Sequence, residues 1–145
     1  MQFDTEACMR SDGRSILLIE PEQVVRSALD YILRERYQTH AFASVDDAIT
    51  SSREAPDVVL VGIAILRERG EAVLEELIKV FVSPKILLIA ERNSDPLVQI
   101  GLERGAHGVI SNPISFSSVC DAVSRAFGAP VSHDGPSGLI PARFD

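Results

Sequence analysis

Five short stretches rich in apolar and β-forming residues recur along the chain: SILLIE (15–20), YQTHAF (37–42), DVVLV (57–61), KILLIA (85–90) and HGVIS (107–111). Runs of this length that are apolar throughout predict strands buried on both faces, as parallel sheets require. YQTHAF alternates, and predicts a more exposed strand. Between the runs the spacing turns helical. Val25, Ala28, Leu29 and Ile32 form one stripe over 21–36, with Pro21 suited to a first helical turn. Ser44 predicts the cap of a short helix, with Asp47 three residues on. Val73, Leu74, Leu77 and Val80 share a face. In NSDPLVQIGLERG, Asn93 or Ser94 predicts the N-cap, Pro96 lies in the first turn and Gly105 is the stop. Ser115 caps a last helix carrying Val119, Ala122, Val123 and Ala126. IAILRERG, after the third strand, predicts a loop.

Five strands alternating with five helices imply right-handed βαβ units in a mostly parallel, doubly wound sheet. In such sheets chemistry sits beyond the carboxyl ends of the strands. The third strand, the most apolar, runs into Gly62, which offers no side chain there.

At 145 residues, 46% hydrophobic and 24% charged, the chain fits one soluble domain. Residues 1–14 and 129–145 predict tails around a domain at 15–128, the second tail being rich in Pro, Gly and Ser. A net charge of −7 with scattered basic residues excludes a nucleic-acid or anionic-membrane binder. The two cysteines, Cys8 and Cys120, and the three histidines show no metal-ligand spacing, so no metal or cofactor is expected. No signal peptide or membrane-length run is present, which predicts a cytoplasmic protein with reduced thiols.

The order of elements, with ILLIE opening, PDVVLVG third, GAHGVISNP late and Gly70 eight residues after Gly62, resembles the receiver domain of bacterial response regulators over about residues 15–127. The resemblance implies a flavodoxin-like (CheY-like) three-layer α/β/α fold with strand order 2-1-3-4-5 and a site between strands 1 and 3. Receivers of this kind accept a phosphoryl group from a histidine kinase on an Asp ending the third strand. An acidic pair helps hold Mg²⁺, a Thr or Ser and a Lys contact the phosphoryl oxygens, and an aromatic residue reports the state. By the same resemblance, the acidic pair falls on Glu20 and Pro21, the acceptor on Gly62, the hydroxyl on Ile89, the lysine on Asn112 and the aromatic on Val109. The Asn112–Pro113 peptide is expected to be cis, as the family's Lys-Pro usually is.

Glycine supplies no nucleophile for an aspartyl phosphate, and Glu20 alone, even with Glu22, is a poor ligand set for Mg²⁺. Each departure also has a plain explanation: Gly62 for a tight turn, Ile89 for core filling, Pro21 for a helix start. Arg67 and Arg69 border the same position by resemblance, so one could fold back onto Glu20, with Glu22 beside it; solvated arginines are the alternative. Cys120 reads as helix packing, and His107 as a surface or edge histidine.

The expected function is that of an atypical receiver, not an enzyme, acting in two-component-type signalling through phosphorylation-independent contact or dimerisation. With no output domain in the chain, its effect is expected to pass to a kinase, regulator or output protein, or to a second copy. The family's usual contact face is expected to offer Asp95, Val98, Leu102, Arg104, His107, Cys120 and Asp121. Two alternatives remain: phosphorylation at a non-standard group such as Asp57 or a serine, and a flavin or nucleotide site on the same fold. Asp57 begins its strand, at the wrong end of the sheet, and the EPEQ loop lacks the Gly, Ser and Thr that cradle phosphate.

Overall fold

The apolar runs become strands β1 (Ser15–Ile19), β2 (Gln38–Phe42), β3 (Val58–Gly62), β4 (Lys85–Ala90) and β5 (Gly108–Ser111) in a computed structural model. It describes residues 14–51, 55–111 and 114–128. The strands form a single parallel sheet in the order β2-β1-β3-β4-β5, the order expected. Helices α1 (Gln23–Leu33), α2 (Val45–Ser51), α3 (Ile63–Arg69), α4 (Ala72–Val80), α5 (Pro96–Glu103) and α6 (Phe116–Ala126) cover it.

Strand alternation divides the core in two. Leu17 and Ile19 of β1 join Val59 and Val61 of β3 and Leu88 of β4 under Leu66, Leu74, Leu77 and Val98, in the cluster covered by α2 to α5. Ile16, Leu18, Leu60 and Ile89 face the other way, under Leu29, Leu33, Val119 and Val123 of α1 and α6. This makes three layers, and β3 is buried at all five positions, as its unbroken apolar run requires. Each such side chain taken from water stabilises the fold by roughly 1.5–3 kcal/mol before conformational entropy is subtracted. Gly101 lets α5 come close, because a Cβ there would lie 2.6 Å from Leu88 Cδ1.

The segment IAILRERG is a helix, not a loop, and six helices stand among the described residues where five were expected. Helix α3 begins directly after Gly62 and buries Ile63, Ile65 and Leu66, so its apolar residues join the core cluster of the face covered by α4 and α5. Two caps also differ from expectation. Asp95, rather than Asn93 or Ser94, caps α5 by accepting the Leu97 N–H at 2.9 Å. Pro21 precedes Glu22, the N-cap of α1, instead of lying in the first turn. Ser44 does accept the Asp47 N–H at 3.1 Å. Ser115 and Ser118 form a reciprocal capping box at the start of α6. The expected tails and the Asn112–Pro113 peptide lie outside the described residues.

Candidate functional site

Strand register brings the site together. Ile19 of β1 pairs with Val61 of β3, so the next residues, Glu20 and Gly62, emerge side by side at the carboxyl end of the sheet. Ile89 of β4 pairs with Gly62 on its other side. This is where a doubly wound sheet exposes a crevice.

Gly62 has φ −65° and ψ 141°, an extended conformation open to any residue. The tight-turn explanation therefore does not apply. What a side chain would meet here is Glu20: a Cβ would lie 2.8 Å from its Cδ and 3.2 Å from Oε2, with Oε1 closer still, so the end of that side chain would have to shift. Glu20 is only 6% exposed, the one buried charged residue among those described. Its Oε2 accepts the Glu22 N–H at 2.9 Å. Burial pushes its carboxyl above the usual carboxylate value; the Glu22 N–H opposes this, the charge of Glu22 adds to it, and Arg26 also opposes it.

The neighbouring cations are engaged elsewhere. Arg26 Nη1 donates to the carbonyls of Glu20 at 2.8 Å and Pro21 at 3.2 Å. Arg67 Nη2 pairs with Asp95 Oδ2 at 2.7 Å, tying α3 to the cap of α5. Arg69 reaches Asp46 and Glu76, each at 3.2 Å. The expected arginine bridge onto Glu20 is thus absent among the described residues. The carboxylates Arg67 and Arg69 select lie on more exposed elements, where an ion pair incurs less desolvation. The Leu97 N–H and Arg67 hold the Asp95 carboxyl below its usual value.

A cavity of about 520 Å³ opens beside Glu20. Glu22, Arg67 and Glu91 supply its other charges, and Val25, Ile63, Ala64, Ile89, Ala90 and Ile114 are among its apolar walls. Ile89 is 4% exposed and belongs to the core, so core filling describes it well. Val109 packs, partly buried, against the opposite core cluster. Pro21 is exposed at the rim of β1, and Asn112 is outside the described residues. No group of three or more His, Cys, Asp or Glu residues able to hold a metal occurs among the described residues.

Asp57 lies at the far end of the sheet, where its Oδ2 accepts the first β1 N–H, that of Ser15, at 2.8 Å. It is a strand-end acceptor remote from the crevice. The expected contact face is only partly a surface. Val98 is 3% and Cys120 7% exposed, so both face inward because their helices pack through them. Burial also raises the Cys120 thiol above its usual value. Leu102 remains exposed, Arg104 reaches Glu75 of neighbouring α4 and Glu71 at its N-cap, Asp95 is the cap just described, and Asp121 is half-buried. His107 Nδ1 accepts the Ile86 N–H at 3.0 Å, extending the β4–β5 edge through a side chain. That role was not legible in a lone histidine at the start of a strand.

The response regulator receiver domain model matches residues 16–124. The chain belongs to this family, a class that acts in two-component signal transduction. It is 34% identical over 114 residues to the transcriptional regulatory protein AfsQ1 of Streptomyces coelicolor, an alignment covering 77% of this chain and 50% of that protein. The chain therefore spans about half the length of that relative. Among solved structures, a response regulator from Thermotoga maritima matches at a TM-score of 0.71 and 15% identity, over 81% of this chain and 99% of that one. NtrX from Brucella abortus, solved with ADP, matches at a TM-score of 0.72 and 23% identity, over 80% of this chain and 27% of that one. These two likenesses carry the fold alone. No helix among the described residues is long and apolar enough to cross a membrane.

Proposed function

We propose that this receiver domain signals without accepting a phosphoryl group, by contact with another signalling protein or with a second copy of itself. The observation that carries this reading is the pairing of Gly62 with Glu20. The strand end that bears the family's acceptor carries no nucleophile, and the space beside it is taken by a buried carboxylate. The resemblance sets Ile89 and Asn112 at the hydroxyl and lysine positions, which leaves no hydroxyl or ammonium group to steady a transferred phosphoryl group there. Without acceptor, metal ligands and oxyanion donors, the domain's remaining resource is its surface. Leu102 on α5, Arg104 at its C-cap, His107 before β5 and Asp121 on α6 are exposed or half-exposed members of the contact face.

Affinity capture from the native cell tests this, using the full chain with and without acetyl phosphate and Mg²⁺. The expected result is a partner or second copy retained equally in both conditions and lost from Leu102→Glu. Retention only after phosphodonor treatment would contradict the reading.

A further inference from the structure

The cavity beside Glu20 is a separate feature from the loss of phosphoryl chemistry. Its buried wall carries a carboxylate that is more than nine-tenths covered. Oε2 accepts the Glu22 N–H, and Oε1 is not among the buried atoms left without a partner, so it stays accessible from the cavity side. A buried carboxylate is costly unless it is paired. Yet Arg26 is bonded to main-chain carbonyls, and Arg67, which also lines the cavity, is bonded to Asp95. Glu22 and Glu91 leave the cavity with more negative than positive charge.

The remaining walls decide what chemistry fits. Val25, Ile63, Ala64 and Ile89 present apolar surface, and at about 520 Å³ the volume lies within the range of small-molecule pockets, ~300–1,000 Å³. A divalent metal is poorly served, since the described residues offer no group of three ligating side chains. An anion would meet three carboxylates. A cationic head on a short aliphatic stem satisfies both kinds of wall: the head donates charge-assisted hydrogen bonds to Glu20, and the stem covers the apolar residues.

We propose that the cavity is a binding site for a small organic cation, an alkylguanidinium or alkylammonium compound, with Glu20 as its counter-charge. The site is independent of the partner contact proposed above and survives if that reading fails. Its logic reverses that of a phosphoryl pocket: the bound group is the positive partner.

The test titrates the isotopically labelled full chain with butylguanidinium and with butylammonium, using butanol as neutral isostere and Mg²⁺ as metal control. Amide resonances of Glu20, Gly62, Ala64 and Ala90 report binding. The expected result is saturable shifts with at least one organic cation, and affinity about tenfold weaker for butanol, the scale of one charge-assisted hydrogen bond. Glu20→Gln is expected to lose about as much. Ala64→Phe, placed on an exposed cavity-lining residue, fills the space while keeping Glu20, and is expected to abolish the shifts. Equal affinity for cation and butanol, undiminished binding by both variants, tighter binding of Mg²⁺ than of either cation, or no saturable shift with any cation would overturn the proposal.

Discussion

The carboxylate of Glu20 stands where a side chain on Gly62 would have to go. The two residues leave adjacent strands in register, so the extra methylene of a glutamate at 20 and the missing side chain at 62 are one complementary exchange of volume. Substitution should expose that dependence. Gly62→Ala is expected to destabilise by about 1 kcal/mol, because Glu20 can yield only by giving up the Glu22 N–H. In a Glu20→Ala background the sign should reverse to a gain of about 0.4–1 kcal/mol, since the backbone at 62 suits alanine. Denaturant unfolding of the double-mutant cycle measures the coupling.

The same exchange predicts how a restored acceptor behaves. Gly62→Asp alone should remain unphosphorylated by acetyl phosphate and Mg²⁺, because Glu20 fills the acceptor's space. Intact-mass analysis reads the result, and a phosphoryl adduct on the single variant would show that Glu20 yields freely.

Glu20 also sets a pH dependence. Burial raises its folded value above the ordinary 4.5, so the native state holds the proton over a range where the unfolded chain has released it. Its contribution to stability is fully present below 4.5 and is lost as pH rises through the folded value. Glu20→Gln mimics the protonated form and keeps an acceptor for the Glu22 N–H. Its stability advantage over the parent should therefore grow from acid to neutral pH in parallel thermal melts.

His107 has the opposite sign. Burial first, then the charge of Lys85, lowers its value from 6.5, and the hydrogen bond with the Ile86 main chain opposes this. Its contribution is present above 6.5 and declines as pH falls from there toward the folded value. Nitrogen shifts should show a neutral ring protonated on Nε2 at pH 7, and the Ile86 amide should exchange faster once the ring is protonated.

The turn before β4 stores strain unrelated to the site. Val82, 76% exposed, and Ser83 adopt φ of 61° and 55°, a region that β-branched residues avoid. Val82→Gly is expected to raise stability by about 1 kcal/mol in denaturant melts, after the greater flexibility of the unfolded glycine is subtracted.

The sheet was legible because burial on both faces writes itself as unbroken apolar runs, as in residues 58–61. Helix α3 was not. It has seven residues, starts directly after a glycine, and its apolar positions Ile63, Ile65 and Leu66 resemble a continuation of the strand. The partners of Arg67 and Arg69 were hidden for another reason: Asp95 lies 28 positions from Arg67, and Asp46 lies 23 from Arg69, on elements that only the fold brings near. Val98 was misplaced on the surface because sequence gives a helix's period but not its rotation, whereas Cys120, also offered on that face, is buried as its reading as helix packing implies. The volume exchange between residues 20 and 62 was partly visible, as a lengthened acid opposite a glycine, but only register makes them neighbours.

The most direct measurement is intact-mass analysis of the full unmodified chain after incubation with acetyl phosphate and Mg²⁺. No gain of a phosphoryl group is the predicted result. A stoichiometric phosphoryl adduct that maps to Glu20, or to any other residue of the crevice, would contradict the claim that this receiver has given up phosphate.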